Sequence, residues 1–331
     1  MGIMSKKTVL QPDMKTLRVV HVDNVPLYRV EVSDRYHHPK YWIERKFIRS
    51  FTDFMEWYLR HHPEVDAHSP FNISQLLIYM QPGMRAWRQY MPGGFATYHA
   101  HDPSKRHMKN GKKTDLMTRA LFRHSTDAEG LRSRAAIMAH IAQEVVTLHP
   151  TDTVEWMSLA TGSGQPAFDA CRRLSVADQE RVILTLGDIS PEMMAFEEQL
   201  YAKEDLHLGA VHHVLTDVVK PSDRRALLKG KNPLIIDIMG LFEYLTDEQC
   251  IDVLRALYAA LARGGVIIFT NMSPGHPHLH VHQRGLGWPG VIQRTAREVI
   301  ALAEQAGIPK QAQSVYRAED KVYNVYRIEK L

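Results

Sequence analysis

The second half of the chain alternates short apolar runs with stretches of helical periodicity, and this alternation constrains the fold more than any other feature. The runs that predict strands are 155–160, 181–186, 210–215, 233–238 and 265–270, followed by 312–315 and 322–328. Helices are expected between them at 166–174, 191–202, 247–262 and 295–306. Short apolar strands that alternate with amphipathic helices are typical of a doubly wound parallel sheet. The sequence therefore predicts an α/β fold.

The first 125 residues follow a different pattern. Residues 17–22 and 27–32 alternate in polarity and predict a small hairpin. Apolar residues at helical spacing predict a long helix over 41–61 and a second over 73–90. A further helix, 126–148, begins with Thr126 to Glu129, which has the form of a capping box. We therefore expect a mainly helical N-terminal cap region, 1–125, and an α/β domain, 126–331.

Composition excludes several classes of protein. The apolar fraction of 44% is sufficient for a sizeable core, and the excess of Lys and Arg (41) over Asp and Glu (37) is too small to indicate nucleic-acid binding. No stretch of about 18 apolar residues is present, and the first residues lack the apolar segment of a secretory signal, so we expect a cytoplasmic protein without a membrane partner. Two cysteines are too few for a disulfide framework. The basic segment 101–113 is interpreted as a solvated loop, with phosphate contact as the alternative.

A glycine-rich turn follows the first predicted strand of the α/β domain. The segment Thr161-Gly162-Ser163-Gly164 lies directly before a helix that has a proline in its first turn. Glycines allow the backbone to approach a ligand closely, and the start of a helix offers unpaired N–H donors. The turn is therefore the first candidate for a nucleotide site.

Polar residues also follow the other predicted parallel strands. Ligands in such sheets bind at the carboxyl ends of the strands. Asp188 can accept hydrogen bonds from ribose hydroxyls, and Asp217 can accept one from the exocyclic amine of adenine. The other residues expected near a ligand at these strand ends are Ile189, Val218, Asp237 and Met239.

Taken together, residues 150–331 resemble the class I S-adenosylmethionine-dependent methyltransferases. The turn matches the first motif of that family, 188–194 resembles its second, Asp217 its third, and 262–269 its turn into the fifth strand. The segment 240–245, Gly-Leu-Phe-Glu-Tyr-Leu, resembles a bacterial subgroup that acts on small molecules. The resemblance implies a seven-stranded Rossmann-like sheet with an antiparallel last strand, and S-adenosyl-L-methionine as the cofactor.

Candidate catalytic residues come from two segments. Glu243 and Tyr244 follow the fourth strand, and His278 lies in the loop 271–289, where Trp288 could form a wall of the acceptor site. Histidines alternate in this loop at 276, 278, 280 and 282, but no carboxylate or cysteine accompanies them there, so we expect no metal. Methyl transfer depends mainly on alignment, with a base where the acceptor must lose a proton.

One departure from the family leaves the reaction open. The first motif usually has an acid just before its glycines, and residues 158–161 supply none. The leading hypothesis is methyl transfer to a small molecule of bacterial secondary metabolism. The alternative is attack on the aminocarboxypropyl chain of the same cofactor, by a lyase or cyclase forming azetidine-2-carboxylate or by an aminocarboxypropyl transferase, with release of methylthioadenosine. A cofactor- or RNA-binding scaffold without catalysis is a third hypothesis, which only the basic segment favours.

The expected partner is a small-molecule substrate. The Asn/Asp-Pro-Pro-Tyr motif of enzymes that methylate amino groups of nucleic acids and proteins is missing, so a nucleic acid is not expected. A homodimer is the assembly considered, although no motif specifies it.

Overall fold

The computed structural model describes residues 14–331, and this part of the chain contains one sheet of nine strands. The strands, β1 to β9, are Met14–Val22, Val25–Val32, Val154–Leu159, Val182–Asp188, Ala210–Leu215, Ile235–Ile238, Val266–Met272, Gln313–Ala318 and Tyr323–Glu329. Their order across the sheet is β1-β2-β8-β9-β7-β6-β3-β4-β5.

Helices cover both faces of the sheet and form the cap. The α-helices, α1 to α12, are Trp42–His61, Ile73–Tyr79, Pro82–Trp87, Gly94–His101, Leu116–His124, Thr126–Leu148, Gln165–Cys171, Val176–Gln179, Pro191–Tyr201, Pro221–Leu228, Asp247–Ala260 and Ala296–Gln305. Short 3-10 turns occur at 35–37, 39–41, 88–90, 242–244 and 310–312, and one π-helical turn covers Val281–Gly285.

The five central strands confirm the predicted doubly wound fold. β5, β4, β3, β6 and β7 are parallel, and β9 lies antiparallel between β7 and β8. From β3 the chain proceeds through β4 and β5 towards one edge, and then returns to β6 and proceeds towards the other. The order therefore reverses between β3 and β6, which is where such sheets bind ligands, beyond the carboxyl ends of the strands.

The prediction of seven strands is wrong, because the N-terminal hairpin extends the sheet to nine. β1 and β2 are joined by Asp23 and Asn24, whose φ angles of 49° and 70° suit a two-residue hairpin turn. β2 pairs in parallel with β8, with Leu27 opposite Val315. Without the hairpin, β8 would present an unpaired edge of backbone N–H and C=O groups. Residues 14–32 thus belong to the sheet, while helices α1 to α5 form the cap.

Two local predictions in the helical region are also corrected. The helix expected over 73–90 divides into α2 and α3, because Pro82 cannot supply an N–H for a continuous helix and occupies the first turn of α3 instead. The capping box at Thr126 is absent, since Ser125 is the N-cap of α6 and accepts from the backbone N–H of Ala128. Glu129 instead forms an ion pair with Arg49, and its Oε1 lies 2.9 Å from Nε2 of His37.

Apolar residues bury the sheet on both faces, and a third cluster connects the cap to the loop after β7. Ile48, Met55, Trp87 and Phe122 of the cap helices pack there with Val281 of the loop. The cap is therefore fixed against the carboxyl-end edge of the sheet. No helix among residues 14–331 is long and apolar enough to cross a membrane.

Candidate functional site

The glycine-rich turn after β3 contains several residues in the left-handed backbone conformation. A hydrogen bond connects this turn to the end of β4. Ala160, Gly162 and Gly164 have φ angles of 50°, 60° and 67°, which glycine adopts at little cost and alanine does not. The N–H of Gly162 donates to Oδ2 of Asp188 (2.9 Å), and the N–H of Ser190 donates to Oδ1 (2.9 Å). Asp188 therefore holds the turn and the start of α9 in one arrangement.

A buried acid that the sequence analysis missed supports this turn from below. Glu197 of α9 has no exposed surface, and its Oε1 accepts from Oγ1 of Thr161 (3.2 Å). Burial raises the pKa of Glu197 to about 8, so the carboxyl group is protonated at neutral pH and its Oε2 can donate to Nδ1 of His213 (3.1 Å). A Cβ on Gly164 would lie 2.7 Å from Oε1 of Glu197. Only glycine fits at this position.

Asp237, at the end of β6, lies beside the segment that lacks the usual acid. Its Oδ1 accepts from Oγ of Ser158 (2.9 Å) and its Oδ2 from Nε1 of Trp156 (2.6 Å). Ser158 and Asp237 are register partners in the parallel pairing of β3 with β6. Burial raises the pKa of Asp237 to about 6, which leaves it mostly ionised at neutral pH. A carboxylate from the neighbouring strand is thus available next to the turn.

Two cavities meet at Gly93 and Gly94 of the cap, next to the turn. The turn cavity is lined by Thr161, Ser163, Asp237, Met239 and Tyr244 together with cap residues. The outer cavity is lined by Asp188 and Ile189 and by cap residues. The structure therefore brings seven of the predicted site residues to these two cavities.

Asp217 and Val218 line neither the turn cavity nor the outer cavity. Oδ1 of Asp217 accepts from the N–H of Val219 (2.9 Å), and Val218 is buried in an apolar cluster on one face of the sheet. The predicted contact of Asp217 with adenine and that of Val218 with the cofactor stay predictions.

The start of α4 covers the turn. A Cβ on Gly94 would lie 2.9 Å from Cα of Gly162, so the two backbones are in direct contact. The basic segment 101–113 packs onto the same helix, because Nζ of Lys105 lies 3.4 Å from the centroid of the Tyr98 ring. Nζ of Lys109 bonds Oε1 of Glu192 (2.9 Å), in the first turn of α9. The second contact joins the basic segment to the α/β domain.

A third cavity extends from the turn cavity into the cap and is called the apolar cavity. Its walls are mostly apolar side chains from the cap helices and the loop after β7, including Met55, Ile78, Met84, Trp87, Leu121, Phe122 and Trp288. The residues that line both this cavity and the turn cavity are Thr97, Leu131, Arg134, Gly240 and Tyr244. The two cavities therefore meet at these residues.

All three predicted catalytic residues line the apolar cavity, but their polar atoms differ in availability. Oε2 of Glu243 is buried without a hydrogen bond, and burial raises the pKa of this carboxyl group. The hydroxyl of Tyr244 accepts from Nε1 of Trp288 (2.6 Å), and burial raises its pKa to about 12. His278 has both ring nitrogens engaged, Nδ1 with Thr126 (2.6 Å) and Nε2 with Asp53 (2.8 Å).

Arg134 of α6 is a further polar residue that the sequence analysis missed. It is buried where the two cavities meet, and its guanidinium donates to the carbonyl oxygen of Met239 (3.1 Å) and to Oε1 of Glu243 (3.5 Å). A Cβ on Gly240 would lie 2.9 Å from this guanidinium. No motif marks Arg134 in the sequence, because it lies within a long, largely apolar helix.

A carboxylate from outside the histidine loop, that of Asp127 in α6, reaches the alternating histidines, and the sequence analysis missed it. Oδ1 of Asp127 accepts from Nε2 of His276 (3.1 Å) and from Nδ1 of His282 (2.5 Å). These three ligand atoms lie within 4.8 Å of one another, as in a metal site. However, Nδ1 of His276 accepts from the N–H of His278 (2.9 Å), so its ring proton is on Nε2. This tautomer presents an N–H to Asp127 rather than the lone pair that a metal requires.

Comparison with known proteins relates this architecture to methyltransferases. The family described as "Putative methyltransferase" matches residues 105–321, about two thirds of the chain. A possible exported protein from Bordetella parapertussis superposes with a TM-score of 0.62 at 14% identity, over 90% of this chain and 99% of that one. The carbon methyltransferase CurJ superposes with a TM-score of 0.53 at 13% identity, over 78% of this chain and 70% of that one. At such identities these structures show a shared fold. No curated protein sequence matches the chain.

Proposed function

This chain belongs to the methyltransferase family that it matches, and we propose that it transfers a methyl group from S-adenosylmethionine to a small, largely apolar acceptor. When bound, this cofactor supplies an electrophilic methyl group on a sulfonium. The observation that carries the proposal is the junction between the turn cavity and the apolar cavity at Arg134, Gly240 and Tyr244. The resemblance of 240–245 to small-molecule methyltransferases supports an acceptor from secondary metabolism.

The residues around the turn fit the two ends of this cofactor. Asp188 lines the outer cavity, where its carboxylate oxygens can accept hydrogen bonds from ribose hydroxyls. In the turn cavity Asp237 can pair with the ammonium group and Arg134 with the carboxylate of the amino-acid end. Thr161 and Ser163 border the same cavity, and Met239 forms an apolar wall. We retain Asp217 as the adenine contact, and Ile189 and Val218 as further contacts of the cofactor.

Binding of such an extended molecule would require one part of the cap, the start of α4, to move. Gly94 lines both the turn cavity and the outer cavity, and it is in contact with Gly162. The start of α4 therefore has to shift before the cofactor can occupy both cavities. Return of the cap would exclude water from the reacting groups.

The predicted catalytic residues receive distinct roles in this proposal. Tyr244, at the junction, would orient the acceptor towards the methyl group, because its ring borders both cavities. The unpaired Oε2 of Glu243 would bind a polar group of the acceptor. His278 would hold the histidine loop against α1 and α6 through Asp53 and Thr126.

The cofactor site is tested by calorimetry with S-adenosylhomocysteine, the product of methyl transfer. We expect micromolar binding, weakened at least about tenfold in Asp188→Ala, which corresponds to about 1.4 kcal/mol for the lost charge-assisted hydrogen bonds. Asp205→Ala is the matched control, because that carboxylate is fully exposed and remote from the cavities. Equal affinity in the two variants would contradict the assigned site.

The nucleoside product separates methyl transfer from attack on the aminocarboxypropyl chain. The purified protein is incubated with S-adenosylmethionine, with and without acceptor, and the products are separated by chromatography. S-adenosylhomocysteine that forms only with an acceptor supports the proposal. Methylthioadenosine released without an acceptor would instead identify a lyase or cyclase.

A further inference from the structure

His282 has one ring nitrogen bound to a carboxylate and the other without a partner. Nδ1 bonds Oδ1 of Asp127 (2.5 Å), whereas Nε2 is buried and has no hydrogen bond. The residue is 5% exposed and lines the apolar cavity, where its ring stacks on Trp288 with centroids 5.6 Å apart. Leaving a buried polar atom unpaired is unfavourable, so Nε2 is the place where a polar group of a ligand would be bound.

The hydrogen bond to Asp127 determines which nitrogen carries the proton when this ring is neutral. Burial alone would raise the pKa of Asp127, but the charge that the rings of His282 and His276 carry when protonated, together with their hydrogen bonds, holds it well below the usual range. The carboxylate is therefore ionised and accepts from Nδ1, so the neutral form of His282 has its proton on Nδ1. Nε2 then has a free lone pair that borders the cavity and can accept a proton.

The other histidines of this loop are arranged differently. His276 uses Nε2 for Asp127 and Nδ1 for the backbone N–H of His278, and His278 has both nitrogens occupied. His280 does not line the apolar cavity. Among the described histidines of this loop, His282 is thus the one that offers an unpaired basic nitrogen to the acceptor site.

We propose that His282 is the general base of the reaction, that Asp127 positions it, and that the acceptor carries a weakly acidic hydroxyl group on an apolar body, as a phenol does. The inference rests on the proposed function and adds the acceptor class. A neutral amine has a nucleophilic lone pair before it loses a proton, and an aromatic thiol ionises by itself near neutral pH. A phenolic hydroxyl, which titrates near 10, benefits most from an imidazole base.

The step balances in atoms and charge. Nε2 of His282 takes the hydroxyl proton while the acceptor oxygen forms a bond to the methyl carbon. The carbon–sulfur bond breaks and its electron pair stays on sulfur, giving the methyl ether and S-adenosylhomocysteine. The positive charge of the sulfonium is replaced by that of the imidazolium, which Asp127 stabilises through Nδ1.

Several charged or titratable groups lie around His282 and contribute to its pH response. They are Asp127 and Arg134 of α6, His276 of the same loop, Glu243 and Tyr244 after β6, and Tyr323 of β9. Of these, Glu243 is the competing candidate for a base, because its Oε2 is also unpaired. Glu243→Gln therefore belongs in the experiment beside His282→Gln.

The test uses two aromatic probes of the same shape, 2-naphthol and 2-naphthalenethiol, with S-adenosylmethionine at about pH 8. The thiol is already ionised at this pH and needs no base. We expect His282→Gln to reduce kcat for 2-naphthol by about 10²–10⁴-fold, the usual contribution of a general base, and to change that for the thiol by less than about tenfold. The acid limb of the pH profile of kcat/KM for 2-naphthol should disappear in this variant.

Two further variants complete the experiment. Asp127→Asn should reduce transfer to 2-naphthol by about 10–100-fold, because the amide lacks the negative charge that stabilises the imidazolium and its N–H can favour the wrong tautomer of the ring. His280→Gln is the matched control and should retain wild-type rates with both probes.

The outcomes distinguish this inference from the proposed function. An equal loss with both probes would show a structural role for His282, and a larger loss in Glu243→Gln would make Glu243 the base. Wild-type protein that binds S-adenosylhomocysteine but does not methylate 2-naphthol would overturn only the acceptor class, whereas absence of binding would overturn the proposed function. Activity that EDTA abolishes and Zn²⁺ restores would show that Asp127, His276 and His282 hold a metal, and would also overturn the base.

Discussion

A substitution at Gly164 tests how the glycine-rich turn packs against Glu197. Its φ angle is 67°, and a Cβ there would lie 2.7 Å from Oε1 and 3.0 Å from Cγ of Glu197. Glu197 cannot withdraw easily, because it is fully buried and its two oxygens contact Thr161 and His213. Gly164→Ala therefore introduces both a strained backbone and a steric overlap.

Gly230 separates these two contributions. Its φ angle is 70°, but a Cβ there would have no atom within 4 Å. Both alanine variants incur the cost of a left-handed backbone, about 1 kcal/mol. Only Gly164→Ala adds the cost of overpacking, about 1–3 kcal/mol. We expect the free energy of unfolding to fall by about 1 kcal/mol in Gly230→Ala and by about 2–4 kcal/mol in Gly164→Ala.

Urea unfolding followed by far-UV circular dichroism measures the difference. A double-mutant cycle with Glu197→Ala isolates the overlap, because that substitution removes the atoms that a Cβ on Gly164 would meet. The cycle should return about 1–3 kcal/mol of the loss. Equal losses in Gly164→Ala and Gly230→Ala, or no coupling in the cycle, would refute the packing described here.

Two further predictions concern the same turn. Ala160 has a φ angle of 50°, which glycine adopts at less cost than alanine. Ala160→Gly should therefore raise the free energy of unfolding by up to about 1 kcal/mol, although alanine-to-glycine changes ordinarily lower it. A lower urea midpoint in this variant would contradict the prediction. The pKa of Glu197 is about 8 in the native state and 4.5 in the unfolded chain, so between these pH values the native state holds a proton that the unfolded chain has released. The free energy of unfolding therefore falls as the pH rises from about 4.5 to about 8, by up to about 1.4 kcal/mol per pH unit. Glu197→Gln can form the same two hydrogen bonds but has no proton to release. Between about pH 5 and 8, its free energy of unfolding should therefore change less with pH than that of the wild type. Equal slopes in the two proteins would show that Glu197 is ionised in the native state.

The central sheet and the turn could be predicted because their signals are local. The apolar run before Gly162 and the glycines themselves determine a strand followed by a tight turn, wherever the rest of the chain lies. Asp188 was identified for the same reason, since it ends a strand. The hairpin was also predicted, but not its pairing with β8, because sequence periodicity does not specify which edge a strand joins.

Residues that act together from distant segments could not be predicted in this way. Asp127 and His282 are separated by 155 positions, and their contact depends on how α6 packs against the loop after β7. In the sequence, Asp127 is an acidic residue in the first turn of a predicted helix, and the structure confirms that position. Arg134 and Glu197 have helical spacing and no neighbouring motif, so their burial beside the site became evident only in the folded chain.

The position of Asp237 explains how the turn can lack its usual acid. Side chains of register partners on adjacent parallel strands point to the same face, and adjacent strands are about 4.8 Å apart. Ser158 of β3 is opposite Asp237 of β6. The carboxylate of Asp237 therefore lies at the same level of the sheet as the segment 158–161, but on the neighbouring strand. In the proposed function this places the ammonium end of the cofactor nearer to β6, the strand that leads into Gly240 and Tyr244. In the proposed function, an acid supplied by β6 instead of β3 therefore also brings the amino-acid end of the cofactor closer to the junction with the apolar cavity.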